Sequence, residues 1–194
     1  MSTSNDIKIA STQHPVADLI RNRWSARSFS EKQISENDLD TILEAASWAA
    51  SANNEQPWLY YAAQKSSDAF NKIVEALAGG NQPWAKNAAA FIISVARTTF
   101  SKDNSPNAIA LHDVGQANAT LLLQASALGI HTHPMGGFDA EKVKSLLQLN
   151  ETQQPVIVIA LGYLDEAEKL VEPFKTRELT ARSRKPFNEF VTKL

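Results

Sequence analysis

The sequence predicts an α+β domain with a small sheet flanked by helices. Two continuous apolar runs, Ala88 to Ala96 and Pro155 to Leu161, read as buried strands. Between them, Ala108 to Leu128 keeps helical spacing over the longest stretch in the chain, ~30 Å at 1.5 Å per residue. The remaining segments add few strands and several helices.

Each element has a local reason. His14 to Arg23 reads as a short helix with Val16, Leu19 and Ile20 on one face. Arg23 to Phe29 has the alternation of an extended segment. Ser35 is an N-cap with Asp38 in capping-box position, and Leu39, Ile42, Leu43, Ala46 and Ala49 follow at helical spacing. That helix runs out near Ser51-Ala52-Asn53-Asn54, a polar turn. Trp58 to Ala63 is aromatic and apolar and reads as a strand, and Ser67 to Ala78 as a helix stopped by Gly79-Gly80. Ser101 to Asn107 is a polar loop. Gly129 takes the C′ position after the long helix, where Gly115, Ala117, Ala119 and Ala125 offer small surfaces to another helix. His131 to Phe138 reads as a loop, and Asp139 caps a helix to Leu149. From Asp165 the chain is polar, with a short apolar finish at Phe187, Phe190 and Val191. One domain, 1–194, is expected, with a polar segment 1–13 and a tail 165–194 that hangs free or lies on another surface.

Composition narrows the function. The chain has 194 residues, 43% apolar and 21% charged, enough to bury a core and too apolar for general disorder. Nineteen Lys+Arg against 21 Asp+Glu give a net charge of −2, which argues against a globally basic nucleic-acid binder. The absence of cysteine removes disulfides, thiol catalysis, iron–sulfur clusters and cysteine-rich zinc sites. The polar start has no signal-peptide pattern, and no run of ~18 apolar residues could span a bilayer. A cytoplasmic protein, with neither nucleic acid nor membrane as partner, is expected.

Arg23, Ser25 and Arg27 share one face of an extended segment, with Trp24 and Ala26 opposite. Arg182 and Arg184 repeat the spacing around Ser183. Guanidinium groups match phosphate oxygens with two-pronged donors, so these strips could receive one phosphate, or simply be solvated surface arginines. The chain has neither a Walker loop nor a GxGxxG turn, so such a phosphate would belong to neither a P-loop nucleotide nor a Rossmann dinucleotide. His131, His133 and His112-Asp113 lack a third ligand at supporting spacing, and no metal is expected. No GxSxG elbow marks a serine hydrolase. Trp24, Trp48, Trp58 and Trp84 are candidates for core, interface or cavity lining.

Taken together, the motifs resemble the nitroreductase family of FMN-dependent oxidoreductases. They are Arg23-x-Ser25-x-Arg27-x-Phe29, Ala50 through Trp58, Gly79 through Gln82, the Leu128-Gly129-Ile130 and Pro134 through Asp139 segments, Ala160 through Tyr163, and Arg182 through Pro186. They occur in order from Arg21 to Phe190. The resemblance implies a homodimer with FMN at the subunit interface. It also implies a nitroreductase-like, mostly antiparallel sheet of four or five strands flanked by helices, and a C-terminal extension, 165–194, exchanged between subunits.

The same resemblance implies site roles. Arg23, Ser25, Arg182 and Arg184 match positions holding the FMN phosphate, with Trp24 in the same strip. Arg27 matches a basic residue beside the pyrimidine end of the ring, and Asn81 the amide contact to it. Ser51, Ala52, Asn53 and Asn54 match the loop supplied by the partner subunit. Pro134, Met135, Gly136 and Gly137 match the segment beside the dimethylbenzene edge and N5. No catalytic side chain is implied, because the chemistry occurs at flavin N5. The implied activity is ping-pong hydride transfer from NADH or NADPH to a small-molecule electron acceptor such as a nitroaromatic or quinone. A flavin-binding member without nicotinamide turnover, flavin-consuming or redox-sensing, is the alternative. Gly136 stands where many members carry Glu, and Trp84 where some carry Lys.

Overall fold

The computed structural model describes residues 3–194. Met1 and Ser2, the start of the expected polar segment 1–13, lie outside the described residues. Within that segment, Thr3–Ile7 forms helix α1.

Four strands, β1 (Trp58–Gln64), β2 (Ala90–Arg97), β3 (His131–Met135) and β4 (Gln153–Gly162), make one sheet in the order β1-β2-β4-β3. Every pairing is antiparallel. The Arg23–Phe29 strip adds no full fifth strand. It forms two isolated bridges, Ser25 with Thr132 of β3 and Phe29 with Leu164 just past the end of β4. β3 is thus an edge strand, and this explains how Pro134 fits a strand where the sequence suggests a loop: an edge position spares its missing N–H.

Strand alternation divides the core in two. Val158 and Ala160 of β4 face a cluster with Trp24, Phe29, Phe70, Trp84 and Phe91, while Ile159 and Leu161 face Ile42, Ile92, Leu121 and Ile130. The first face is roofed by α4 (Asp68–Ala76), α5 (Gln82–Ala85) and α7 (Ala140–Leu147), the second by α3 (Glu36–Ser47) and α6 (Ala110–Ala127).

Capping follows the sequence. Ser35 Oγ accepts the Asp38 N–H, Ser67 Oγ the Phe70 N–H, and Asp139 the N–H groups of Glu141 and Lys142. Gly129 closes α6 at φ +70°, with the Ile130 N–H donating to Ala125 O at 2.9 Å. Gly79-Gly80 plays no such part: α4 ends earlier, where Leu77 turns extended and bridges Phe138. The helix expected at His14 to Arg23 shrinks to α2 (Asp18–Asn22), and Leu19 and Ile20 are exposed. On α6, Ala117 and Ala125 are buried, whereas Gly115 and Ala119 lie on an open face beside the exposed Leu111.

Expected to leave the protomer near Asp165, the chain instead stays. The Asp165 N–H donates to Ser28 O at 3.0 Å and Ser28 Oγ to Glu166 O at 2.6 Å. Leu170 and Phe174 join the core, the latter from helix α8 (Phe174–Leu179). Burial pins the segment here, while Phe187 and Phe190 beyond it are left exposed and Val191 is half-buried, with Phe187 edge-on to His14. Among the described residues no helix is long and apolar enough to cross a membrane.

Gly162 marks where strip and sheet meet. A Cβ there would lie 2.6 Å from Phe29 Cδ1 and 2.9 Å from Cγ, in a ring that is itself buried. Gly162→Ala is therefore expected to destabilise the fold by ~1–3 kcal/mol through overpacking. Thermal unfolding checks this, at ~2–4 °C per kcal/mol for a chain of this size. An unchanged Tm contradicts the close fit.

Candidate active site

Along the strip, exposure alternates as the sequence requires: Arg23, Ser25 and Arg27 are half-buried, and Trp24, Ala26 and Ser28 are buried. Trp24 turns its side chain inward, where its indole N–H donates to Asn5 Oδ1 at 3.1 Å, so only its backbone belongs to the arginine face.

The chain then returns from 159 positions beyond Arg23. Arg182 Nη1 donates to Arg23 O at 2.7 Å, and Nη2 donates to Arg21 O. Arg184 is exposed and donates to Ser183 O. The guanidinium groups of Arg23, Arg182 and Arg184 lie close enough to repel: burial, then the charge of Arg184, lowers the pKa of Arg23, and burial, then the charges of Arg23 and Arg184, lowers that of Arg182. Among the described residues none of the three has a carboxylate within ion-pair distance. Arg182 Nε is buried with no hydrogen-bond partner among the described residues. Such a cluster is suited to an anion with several oxygens.

Arg27 stands further along. Its guanidinium lies 5.7 Å from the centroid of the buried Trp84 ring and 3.9 Å from Glu178 Oε2. Trp84 stacks in turn on His133, with centroids 4.4 Å apart. A cation–π contact thus joins Arg27 of the strip to Trp84 of α5. His133 Nδ1 lies 2.9 Å from Ala26 O, and since a carbonyl only accepts, Nδ1 carries the proton.

Asn81, ahead of α5, donates from Nδ2 to Gly137 O at 3.2 Å. A Cβ on Gly137 would come within 3.2 Å of that nitrogen, so the bare glycine allows the approach. A Cβ on Gly136 would meet nothing within 4 Å: the backbone there faces open space. Beyond the Ser25–Thr132 bridge the outer edge of β3 has no partner strand among the described residues. Pro134 and Met135 end β3, with Met135 buried in the core and Pro134 half-buried. The arginine strips, Arg27, Asn81 and Pro134 to Gly137 are thus strung along one edge of the sheet.

The Ser51–Asn54 loop is elsewhere, between α3 and β1. Asn53, Asn54 and Gln56 are left-handed at φ 53°, 56° and 51°, a conformation that Asn tolerates and Gln does not favour. The loop is fixed by the buried Asp113 of α6, whose Oδ2 accepts the Ala52 N–H at 3.0 Å, and by the Gln56 N–H donating to Ser51 Oγ. Trp48, beside it at the end of α3, is 82% exposed, while Trp24 and Trp84 are core. A cavity of about 490 Å³ lined by Thr98, Ala140, Lys144 and Gln154, among others, contains none of the expected site residues.

Neither Lys8 nor Glu178 stood out in the sequence, and Asp113, weighed there only as a metal ligand, proves to be the tether of the Ser51–Asn54 loop. Lys8 lies between two isoleucines, Asp113 within helix α6 and Glu178 in a run rich in charges, so no periodicity sets them apart.

The family described as the nitroreductase family matches residues 20–163. A protein of Archaeoglobus fulgidus, provisionally named NADH dehydrogenase/NAD(P)H nitroreductase, is 32% identical over 158 residues, covering 79% of this chain and 88% of the relative. The crystal structure of an oxidoreductase containing FMN superposes with a TM-score of 0.91 at 34% identity, covering 100% of this chain and 97% of that one. A Desulfovibrio desulfuricans protein provisionally named a nitroreductase, solved in complex with FMN, superposes at 0.74 and 21% identity, over 94% of this chain and 98% of that one, a likeness of fold alone.

His131 and His133 have a consequence for pH. Burial lowers both to about 4, with the charge of Arg27 adding to the effect at His133. An unfolded histidine titrates near ~6.5, so between that value and 4 the unfolded chain binds more protons and stability falls as pH falls. Tm is expected to be lower at pH 5 than at pH 7.5, and the His131→Gln, His133→Gln double variant to narrow the gap. An undiminished gap contradicts the assignment.

Proposed function

The chain belongs to the nitroreductase family of oxidoreductases, and from that premise we propose that it works as a homodimer, binds FMN along the edge of β3, and oxidises NADH or NADPH. One observation carries the FMN reading: among the described residues, Arg23, Arg182 and Arg184 gather without a carboxylate, and Arg182 Nε is buried with no hydrogen-bond partner. A phosphate monoester, at ~−1.5 to −2, fits that donor set.

When bound, FMN would supply the redox chemistry, linking oxidation of NADH or NADPH to reduction of a nitroaromatic, quinone or similar electrophile. The residues bind and polarise. Arg23, Arg182, Arg184 and the Ser25 hydroxyl hold the phosphate. Arg27 supplies a fixed cation where negative charge accumulates on reduction. Asn81 presents an amide, and the open backbone around Gly136 presents an N–H, so no side-chain acid is required at that point.

The homodimer reading draws on surfaces left uncovered: Leu111, Gly115 and Ala119 of α6, Leu19 and Ile20 of α2, and Phe187 and Phe190 of the tail. Residues 183–194, rather than the whole stretch from 165, are the part free to embrace a partner. In such a dimer the Ser51–Asn54 loop of one protomer serves the site of the other.

Arg23→Ala with Arg184→Ala is expected to weaken FMN binding ~100-fold or more, each charge-assisted contact being worth ~1.5–3 kcal/mol. Flavin retained through gel filtration by the double variant contradicts the phosphate assignment. Truncation after Arg184 leaves the docked core intact and is expected to weaken the dimer. A truncated protein that sediments as a stable dimer ends that part of the proposal. Anaerobic stopped-flow reduction by each nucleotide, followed by an acceptor panel, tests turnover. Bound flavin that neither nucleotide reduces would point to a member without nicotinamide turnover.

A further inference from the structure

Glu178, on α8, is fully buried at 0% exposure. Its Oε1 accepts two backbone N–H groups, those of Arg27 at 2.9 Å and Ser28 at 3.0 Å. Its Oε2 accepts no hydrogen bond among the described residues and stands 3.9 Å from Arg27 Nη1. Lys8 flanks the same helix. Its buried ammonium donates to the carbonyls of Arg177 and Thr180 and lies 5.4 Å from the Trp24 ring centroid. Burial pushes the Glu178 carboxyl up, while the two N–H groups and the charges of Arg27 and Lys8 pull it back. A buried carboxylate with one oxygen unbonded is a costly way to pin two N–H groups. An amide oxygen would accept them as well. What the carboxylate adds is charge beside Arg27. Neither Lys8 nor Glu178 lies within the family-matched span 20–163.

Granted the FMN reading above, on which this rests, we infer that Glu178 is a positioning residue of the flavin site: it ties the Arg27–Ser28 backbone to the arm that carries Arg182 and Arg184, and offsets the charge of the Arg27 guanidinium. The phosphate end and the ring end of the site are thereby coupled through one side chain. Arg182 follows Glu178 by four residues, so displacing α8 disturbs both ends at once. Because Arg27 favours the reduced, anionic flavin, an adjacent carboxylate holds the flavin potential below what the arginine alone would give.

The test uses full-length holoprotein with added FMN. Glu178→Gln keeps an acceptor for the two N–H groups and removes the charge. FMN is expected to stay bound and its midpoint potential to rise, by about three- to tenfold in the reduced-to-oxidised ratio, or ~15–30 mV for a two-electron couple. In an Arg27→Gln background the same substitution is expected to leave the potential unmoved. A purely structural role would shift Tm without shifting the potential. An unchanged potential in a flavin-bearing Glu178→Gln protein overturns the inference and leaves the FMN reading standing, whereas a wild-type chain that takes up no FMN overturns both. Should Glu178→Gln fail to fold, Glu178→Asp keeps the charge and shortens the reach. Its potential is expected near wild type, with FMN dissociation about tenfold faster from the lost backbone tie, and wild-type dissociation would overturn the inference.

Discussion

Three guanidinium groups gathered with no carboxylate in ion-pair distance among the described residues are the constraint on which the rest turns. Like charges in a half-buried setting separate unless something else holds them. Here Arg182 is held by the carbonyls of Arg21 and Arg23, its charge spent on backbone oxygens. The docked segment from Asp165 to Arg182 delivers it there, anchored by Leu170 and Phe174 in the core. The energy of apolar burial thus maintains an arrangement that electrostatics opposes. A dianionic ligand would relieve that opposition, which is why the cluster is read as a receptor and not as a surface ion-pair network.

The edge position of β3 gives the receptor its direction. Because the Arg23–Phe29 strip bridges only Thr132 and then leaves toward Leu164, the outer edge of β3 from His133 onward is unclaimed by any strand among the described residues. Arg27, Asn81 and the Gly136 backbone are spaced along that edge. The stack of Arg27, Trp84 and His133 fixes the middle of the row, and the low pKa of His133 keeps the imidazole neutral beside the arginine. The fixed charge in that row comes from Arg27, with Glu178 its nearest opposing group.

Much of this was legible in the sequence, for physical reasons. Period-two alternation placed the arginines of the strip on one face and Trp24 and Ala26 on the other. Ser35, Asp139 and Gly129 announced their helix ends, since capping chemistry is local, whereas Gly79-Gly80 did not end α4. Pro134 misled, because a residue that breaks central strands is tolerated on an edge, and edges are a property of the whole sheet. The C-terminal arm misled for a similar reason: Leu170, Phe174 and Glu178 are scattered through polar residues, and only the pocket they fill shows that 165–182 folds back. Ser51–Asn54 was legible only as a polar turn: its left-handed residues and its tether to Asp113 depend on a buried side chain 61 positions away, and the loop lies apart from the arginine edge of its own protomer.

The most direct test of the central claim is competition between FMN and riboflavin for the flavin-free protein, followed by calorimetry. The two ligands share the ring and ribityl chain and differ in the phosphate. With two or more charge-assisted contacts at ~1.5–3 kcal/mol each, FMN should bind ~100-fold or more tightly than riboflavin. Equal affinities would mean that the clustered arginines serve something other than a phosphate.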